Sequence, residues 1–383
     1  MLYKGAKVFI GGKFMMADFI VEDGYFTEIS IGGNVPGAYI SSVEVKDTLD
    51  YSDKIILPGF IELHSHGCMG HDFSTSNLDG IKEMCKFYAK NGITSILATT
   101  MTIDYDIYKT AMRTLNTAMN TEIEGSRIVG INMEGPFLGA DRKGAHDTRY
   151  LLPIENDKYE ELNALSGDQI RMIDLDPNLP NSIDFIKLHS KNKVISLAHT
   201  SCNYDKAMEA IKAGATHITH LFNAMNGLHH REPGIVGALS DSEVFAEIIC
   251  DGIHIHPSVL NLMFKALGEK LILISDSMSA AGLEDGIYEL GGQRVTVDNG
   301  KATLEDGTIA GSTTTIYKAF KNIISYGIPV EDAILSATLY PAKAIHEDKE
   351  IGSIAVGKHA DFIVMDKAYN IEEVYIDGDK IAF

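Results

Sequence analysis

Cysteine is scarce in this sequence of 383 residues. Its four cysteines are Cys68, Cys85, Cys202 and Cys250, and no two of them form a Cys-x-x-Cys pair. A short secreted domain held together by disulfide bonds is therefore excluded, because such domains carry cysteines at high density. We expect a cytoplasmic protein whose thiols are reduced.

Positive charge is also in short supply. The chain has 33 Lys and Arg residues against 53 Asp and Glu residues, which gives a formal net charge of −20. Binding to nucleic acid phosphates requires concentrated Lys and Arg, so a nucleic acid partner is not expected. An anionic small molecule would need a local basic pocket within this acidic protein.

A long apolar run is missing from the start of the chain. The stretch MLYKGAKVFIGGKF has neither the apolar core of a signal peptide nor a run long enough to cross a bilayer. We therefore expect no membrane partner. The apolar content of 45% is nevertheless enough for a sizeable core, and the length allows one large domain with an accessory domain.

Apolar, β-rich runs recur along the chain and alternate with segments of helical character. There are eight: KIILPGFIELH, TSILATT, RIVGINME, IRMIDLD, KVISLAH, HITHLFN, FAEIICD and LILISD. The segments between them, such as LDGIKEMCKFYAKNG, place apolar residues at helical spacing and end in Gly. Eight repeats of strand then helix predict an α/β fold with a (β/α)8 TIM-like barrel over residues 54–349.

Both ends of the chain carry short alternating strands and glycine turns, as in KVFIGGKF near the start and EEVYIDGDKI near the end. These ends predict a small β-sandwich domain built from residues 1–53 and 350–383. A hairpin-like stretch within residues 286–308 interrupts the last strand-to-helix connection. The sequence assigns that stretch no role.

Polar residues cluster at the ends of the eight runs. They are His64, His66, Thr99, Thr100, Glu134, Asp174, Asp176, His199, His220, Asp251 and Asp276. In a parallel barrel the carboxyl ends of the strands meet on one rim, where active sites are assembled. We therefore expect these side chains to share one site.

Four histidines and one glutamate of this set supply the donor atoms that Zn²⁺ or Fe²⁺ prefers. They are His64, His66, Glu134, His199 and His220. Residues i and i+2 of a strand point to the same face, so His64 and His66 can aim both imidazoles at one ion. A single histidine after an apolar run is more often a hydrogen-bonded structural residue. The five residues together predict a metal site.

Ordered motifs cover nearly the whole chain: PGFIELHSHG, NMEGPFLGADRKGAH, LAHTSC, THLFNAM, REPGIVG, DGIH, LISDSMSAAG and IAGSTTT. In these motifs the chain resembles the N-acetylglucosamine-6-phosphate deacetylases of the amidohydrolase superfamily. The resemblance implies that Glu134, His199 and His220 are shared metal ligands and that Asp276 is the catalytic acid and base. It also implies that His146, in KGAH, stabilises an oxyanion. Without the resemblance His146 would be interpreted as a surface loop residue.

Members of this family differ in the first motif. Some replace one or both histidines and bind a single metal, whereas those that keep both can hold two. This chain keeps His64 and His66, so the resemblance implies one or two divalent ions per subunit, with Glu134 bridging them. No lysine stands among the strand-end residues, which is consistent with a glutamate bridge. The ligands suit Zn²⁺, Fe²⁺, Mn²⁺ or Co²⁺, and the choice stays open.

Substrate contacts are predicted mainly from the resemblance. It places six residues against the sugar phosphate, namely Ala145, Asn223, Ala224, Ile309, Ala310 and Gly311. Arg231 and His254 are the candidate partners of the phosphate, since a guanidinium is a planar and permanently charged donor. The family forms homodimers, so Arg231 serves either its own subunit or the neighbouring site.

The expected reaction is hydrolysis of the acetamide of N-acetyl-D-glucosamine 6-phosphate to D-glucosamine 6-phosphate and acetate. A metal lowers the pKa of bound water from about 15.7 to about 7, which supplies hydroxide at neutral pH. Asp276 then takes a proton and passes it to the leaving amine. Two alternatives stay open. One is an amidohydrolase for another N-acetylated sugar or a cyclic amide, and the other is a catalytically silent sugar-phosphate sensor.

Overall fold

The structure is a computed structural model that describes residues 1–32 and 47–382. Part of the predicted terminal domain, residues 33–46 and residue 383, lies outside the described residues. Within the described ranges, no helix has both the length and the apolar character needed to cross a membrane.

A sheet of eight parallel strands forms the centre of the described part of the chain. The strands, numbered one to eight along the chain, are Phe60–Ser65, Ile93–Thr100, Arg127–Glu134, Ile170–Leu175, Val194–Leu197, His217–Ile218, Phe245–Ile249 and Leu271–Ile274. Strands that are consecutive in this numbering pair with each other, from strand one to strand eight. The predicted α/β fold with a (β/α)8 barrel is confirmed, and each of the eight apolar runs overlaps one of these strands.

A helix follows each of the eight barrel strands in the chain. These helices are Leu78–Lys90, Tyr105–Met119, Asn156–Leu165, Ser182–His189, Tyr204–Ala213, Gly234–Ser240, Pro257–Leu267 and Ile316–Ser325, and Val330–Ala337 and Leu339–Ala344 follow the last of them. Side chains cap several of the first turns. Asn77 accepts a hydrogen bond from Gly80 N, and Asn203 accepts one from Lys206 N. Such caps satisfy backbone donors that the helix leaves free.

The barrel closes between strands one and eight through a short seam rather than a long ladder. Asp276 N donates to His64 O at 2.9 Å, and His66 N donates to Ser277 O at 2.8 Å. Below these bonds the buried carboxyl group of Glu62 bridges strands one and eight. It accepts hydrogen bonds from His64 N at 3.0 Å and from Ser275 N at 3.1 Å. Burial raises the pKa of Glu62 to about 8.

The two ends of the chain form one mixed sheet. Its strands are Leu2–Ile10, Lys13–Glu22, Tyr25–Ile31, Thr48–Asp50, Ile55–Pro58, Phe362–Met365, Ile371–Ile376 and Asp379–Lys380. The rings of Phe26 and Phe362 lie 5.9 Å apart although other strands separate theirs in the sheet. The sheet therefore curls around a core of its own, which is the expected small β domain from both termini.

The strand Ile55–Pro58 links the two sheets in sequence. It pairs with Leu2–Ile10 and with Phe362–Met365, so it belongs to the terminal sheet, although the predicted boundary assigned it to the barrel. Gly59 then separates it from the first barrel strand, and a Cβ there would lie 2.1 Å from Thr94 Oγ1. Only glycine allows this close approach. The domain ranges 1–53 with 350–383 and 54–349 otherwise remain a prediction.

The hairpin-like stretch forms a small antiparallel sheet between barrel strand eight and the next helix. Its strands are Gly286–Leu290, Gln293–Asp298 and Lys301–Thr303. A two-stranded pair, Gly67–Cys68 with His71–Asp72, follows barrel strand one. Both additions lie on the carboxyl side of the barrel, where the candidate site is built.

We predict that Glu62→Ala destabilises the fold, because it leaves two buried backbone N–H groups without an acceptor. Each such group costs about 1–3 kcal/mol, so the free energy of unfolding should fall by roughly 2–5 kcal/mol. Denaturant unfolding measures this change. Glu122→Ala, at an exposed position, is the control and should leave stability unchanged. Equal stability of both variants would contradict the role of Glu62 in the seam.

Candidate active site

A cavity of about 480 Å³ opens at the carboxyl ends of the barrel strands, a size typical of small-molecule sites. Its lining includes His66, Met101, Glu134, Ala140, Asp141, Arg142, Lys143, Gly144, Ala145, His146, His199, His220, Asn223, Ala224, His254, Asp276, Leu290, Thr308, Ile309 and Gly311. Most of the residues that the sequence assigned to a site thus meet around one space.

The carboxylate of Glu134, at the end of barrel strand three, lies at the centre of this site. Five imidazoles approach it through their Nε2 atoms: His199 at 3.0 Å, His66 and His220 at 3.1 Å, His146 at 3.3 Å and His64 at 3.5 Å. Burial alone would raise the pKa of this carboxyl, but His64 and His146 hold it well below its usual range. Glu134 is therefore an ionised acceptor inside the protein.

His199 and His220 present lone pairs to one point. The Nδ1 of His199 donates to Arg142 O at 2.9 Å, and the Nδ1 of His220 donates to Asn223 O at 3.2 Å. Their Nε2 atoms lie 3.1 Å apart and both face Glu134. Burial lowers the pKa of His199 to about 4, so this imidazole is neutral. Two lone pairs and a carboxylate oxygen directed at one point fit a divalent cation.

His64 and His66 form a second donor group with Glu134, and the ligand atoms of these three residues lie within 4.8 Å of one another. His64 Nδ1 faces the Glu247 carboxylate at 2.9 Å, so in the neutral ring the proton resides on Nδ1 and Nε2 keeps its lone pair. This Nε2 is buried, and no described residue gives it a hydrogen bond. An orphaned nitrogen of this kind fits a ligand to a metal ion.

His146 differs from His64, His199 and His220 in which ring nitrogen carries the proton. Its Nδ1 accepts a hydrogen bond from the backbone N–H of Thr102 at 3.3 Å. In the neutral ring the proton therefore resides on Nε2, which lines the cavity side near Glu134. A protonated Nε2 donates a hydrogen bond and does not bind a metal. The geometry thus suits the oxyanion role that the resemblance implied.

Asp276 follows barrel strand eight and turns its carboxylate into the cavity. Its Oδ1 lies 3.3 Å from His66 Nε2. Burial would raise the pKa of Asp276, but the hydrogen bond from His66 lowers it overall. The backbone is left-handed here, with φ of 49°, as it is at His199 with 44° and His220 with 28°. Left-handed conformations of this kind cost about 1–3 kcal/mol each and are concentrated at functional sites.

The predicted substrate contacts divide into two groups. Ala145, Asn223, Ala224, His254, Ile309 and Gly311 line the cavity. Ala310 is buried beside them and lies outside the lining. Arg231 also lies outside it, on an exposed loop where its Nη1 is 2.9 Å from His230 Nε2. The described chain therefore does not bring Arg231 into its own site.

The lining of the cavity includes basic side chains despite the acidic composition. His254 Nδ1 lies 2.7 Å from Asp251 Oδ2, and this carboxylate raises the pKa of His254 against the opposing effect of burial. Arg142 and Lys143 line the same cavity. Arg142 donates to Asn226 Oδ1, and Lys143 donates to the carbonyls of Gly144 and His146. These side chains are suited to an anionic group.

Glu247, in barrel strand seven, is a site residue that the sequence interpretation missed. Its carboxylate is buried and lies 2.9 Å from His64 Nδ1 and 3.3 Å from His217 Nε2, and it accepts the backbone N–H of His220 at 3.2 Å. The signal was present in the run FAEIICD. A glutamate inside an otherwise apolar strand must find buried partners, because an unpaired buried charge is very unfavourable.

Comparison with known proteins identifies the family. Residues 55–381 match the family model described as the Amidohydrolase family. The chain belongs to the amidohydrolase family. Among relatives of this amidohydrolase, the N-acetylglucosamine-6-phosphate deacetylase of Vibrio furnissii is 32% identical, over 88% of this chain and 87% of its own length. The N-acetylgalactosamine-6-phosphate deacetylase of Escherichia coli O157:H7 is 31% identical, over 86% and 88%.

A solved structure of a relative also supports the assignment of this chain to the amidohydrolase family. A variant of the N-acetyl-D-glucosamine-6-phosphate deacetylase of Mycobacterium smegmatis, in complex with N-acetyl-D-glucosamine-6-phosphate, superposes with a TM-score of 0.91 at 27% identity. The match covers 100% of this chain and 99% of that chain. The barrel and the terminal sheet therefore occur together in a known member of the family.

We predict that Glu247→Gln weakens metal binding at the His64 and His66 side selectively, because the amide can no longer fix the His64 ring as firmly as the carboxylate does. Loss of such a partner typically lowers metal affinity 10- to 100-fold. Elemental analysis after dialysis against a weak chelator should give less metal than wild type, with the His199 and His220 site still occupied.

The matched control is Glu243→Gln, an exposed glutamate just before the same strand. It should retain the wild-type metal content. Identical metal content in the two variants would mean that Glu247 does not position His64.

Proposed function

We propose that this amidohydrolase hydrolyses the acetamide of N-acetylglucosamine 6-phosphate to glucosamine 6-phosphate and acetate. The observation that carries this proposal is the Glu134 carboxylate with its histidines, set beside Asp276 in a cavity whose lining also includes His254, Arg142 and Lys143. Amide hydrolysis needs an activated water and a proton carrier, and a sugar phosphate needs a basic side. The names of the relatives support the same substrate class.

Divalent cations fit the donor set of this site. His64 and His66 would hold one ion, His199 and His220 would hold another, and Glu134 would contact both. When bound, such a cation supplies Lewis acidity and lowers the pKa of a coordinated water molecule to about 7. The number of ions and their identity, among Zn²⁺, Fe²⁺, Mn²⁺ and Co²⁺, belong to the proposal.

Asp276 would move the proton in this reaction. Its carboxylate faces the cavity next to His66 and is held ionised, so it can accept a proton from the attacking water. It would then donate that proton to the nitrogen of the breaking amide bond, because an amine leaves readily and an amide anion does not. One carboxylate thus acts as base and then as acid.

His146 would stabilise the negative charge that develops on the acetyl oxygen. Its backbone partner at Thr102 fixes the proton on Nε2, which faces the same cavity as Asp276. A donor that is already oriented before the reaction costs no reorganisation when the charge appears. His146 is therefore proposed as a catalytic hydrogen-bond donor rather than a metal ligand.

The phosphate would bind on the side of barrel strands six and seven. Pairing with Asp251 raises the pKa of His254 there, and Asn223 and Ala224 line the same cavity. Ala145, Ile309 and Gly311 would contact the sugar along the cavity wall. Ala310 would act only through its neighbours, since it lies in the core.

The configuration of the sugar has two candidates, because relatives of similar identity act on N-acetylglucosamine 6-phosphate and N-acetylgalactosamine 6-phosphate. Acetate release from both sugars, each with and without the phosphate, separates them. We expect the glucosamine derivative with phosphate to react fastest. Release from neither phosphorylated sugar would favour an amidohydrolase of other specificity or a silent sensor, which a binding measurement would tell apart.

We predict that Asp276→Asn retains metal and substrate binding but loses most turnover. Asparagine keeps the shape of the side chain and cannot carry the proton, and proton transfer by a positioned group typically contributes about 10²- to 10⁴-fold. The measurements are acetate release, metal content and substrate affinity. A variant with near-normal turnover would show that another group moves the proton.

A homodimer would complete the phosphate site. Arg231 lies on an exposed loop outside its own cavity, where its Nη1 is 2.9 Å from His230 Nε2. We propose that it reaches the phosphate in the neighbouring subunit. The free thiols of all four cysteines accord with a cytoplasmic location for such a dimer.

We predict that Arg231→Ala lowers kcat/KM for the phosphorylated sugar by roughly 10- to 100-fold and hardly affects the unphosphorylated one, because a charged hydrogen bond to phosphate contributes about 1.5–3 kcal/mol. Mixing Arg231→Ala subunits with Asp276→Asn subunits should restore one site per heterodimer. The control is Arg113→Ala, at an exposed helix position. Absence of rescue with a selective phosphate effect would place Arg231 in its own site.

A further inference from the structure

The small sheet of residues 286–303 brings an apolar side chain to the cavity. Leu290, the last residue of its first strand, is only 2% exposed and lines the cavity. Met101, just after barrel strand two, is 1% exposed and lines the same cavity. Both belong to one apolar cluster. They form an apolar wall in a cavity otherwise lined largely by polar side chains and glycines.

The tip of this hairpin is fixed against the barrel. Gln293 Nε2 donates to the carbonyl of Ala145, in the loop that carries His146. A Cβ on Gly291 would lie 3.2 Å from Met101 Cε, so the turn touches the methionine methyl group. Farther along the strand, Ser279 Oγ donates to Glu289 O at 2.8 Å. Hydrogen bonds to Ala145 and from Ser279 therefore hold the hairpin in place on either side of Leu290.

The strand order places this wall across the barrel from the proposed phosphate side. Met101 follows strand two, whereas Asn223 follows strand six, and strands two and six are opposite one another in a closed barrel of eight. The Glu134 cluster lies between them, because its histidines come from strands one, five and six. A substrate anchored at the phosphate side would extend past the cluster toward Met101 and Leu290.

The shape of the proposed substrate matches this arrangement, with the phosphate side and the apolar wall on opposite sides of the Glu134 cluster. In an N-acetylhexosamine 6-phosphate the amide is on C2, and the phosphate arm is on C5, the ring atom opposite C2. The acetamide therefore points away from the phosphate. With the acetyl oxygen at His146 and the amide carbon at the Glu134 cluster, the methyl group is directed toward the apolar wall.

We propose that Leu290 and Met101 form the acyl pocket of this enzyme and restrict it to acetyl. This inference rests on the proposed function and adds to it the residues that select the acyl group. A pocket closed by two buried apolar side chains excludes longer acyl chains, because overpacking a fixed wall is unfavourable. The hairpin of residues 286–303 is then a specificity element of the active site.

The test compares the N-acetyl, N-propionyl and N-butyryl derivatives of glucosamine 6-phosphate. Wild-type protein should prefer the acetyl derivative. Leu290→Ala and Met101→Ala should each raise kcat/KM for the butyryl derivative, relative to the acetyl one, by about tenfold or more, since one methylene in an apolar pocket changes kcat/KM by roughly 10- to 200-fold. Melting temperatures establish that the variants fold, and Leu290→Val replaces Leu290→Ala if it does not.

The matched control is Ile287→Ala, on the same strand as Leu290 but 61% exposed. It should leave the ratio of butyryl to acetyl hydrolysis unchanged. If folded Leu290 and Met101 variants keep the wild-type ratio while wild type releases acetate, the acyl pocket assignment is wrong and the proposed function stands. An equal rise in Ile287→Ala also overturns the assignment. Wild-type protein that releases no acetate overturns the proposed function and this inference with it.

Discussion

The rest of the site depends on one buried carboxylate. Glu134 lies within 3.5 Å of five imidazole nitrogens that come from three barrel strands and one loop. An ionised group in the protein interior is very unfavourable unless its neighbours neutralise it. In this structure His64 and His146 lower the pKa of Glu134, and the lone pairs of His199 and His220 are directed at a point that suits a cation. The position of Glu134 thus fixes where the histidines and Asp276 meet.

Sequence patterns predicted the parts of the fold that depend on repetition. Eight apolar runs predicted eight strands, and the polar residues at their ends predicted one rim, because strand direction alone determines where those ends meet. The pattern could not place Ile55–Pro58, which is apolar like the barrel strand that follows it but pairs with the terminal strands. Only the close approach at Gly59 separates the two, and a close approach is a property of three dimensions.

Site residues were predictable where they terminate strands and were missed where they lie inside them. Glu247 and Glu62 are buried within apolar runs, and each holds a neighbour of the site through hydrogen bonds that the sequence does not reveal. The tautomer of His146 was equally hidden, because it depends on a backbone N–H from Thr102. For Arg231, by contrast, the sequence suggested a contact that the structure does not show within one chain. Its residue type suggested a phosphate contact, but the chain carries it away from its own cavity.

The hairpin of residues 286–303 leaves and re-enters the barrel at almost the same place. Ser312 N donates to Asp276 O at 2.7 Å, and Met278 N donates to Ser312 O at 2.9 Å, so the two ends of the excursion are joined to each other beside Asp276. Changes in the length or sequence of the excursion therefore need not move Asp276. Mutations in the hairpin could therefore alter substrate selectivity without displacing Asp276. A hairpin from a relative could be exchanged as a unit while the Asp276 carboxylate stays anchored to strands one and eight.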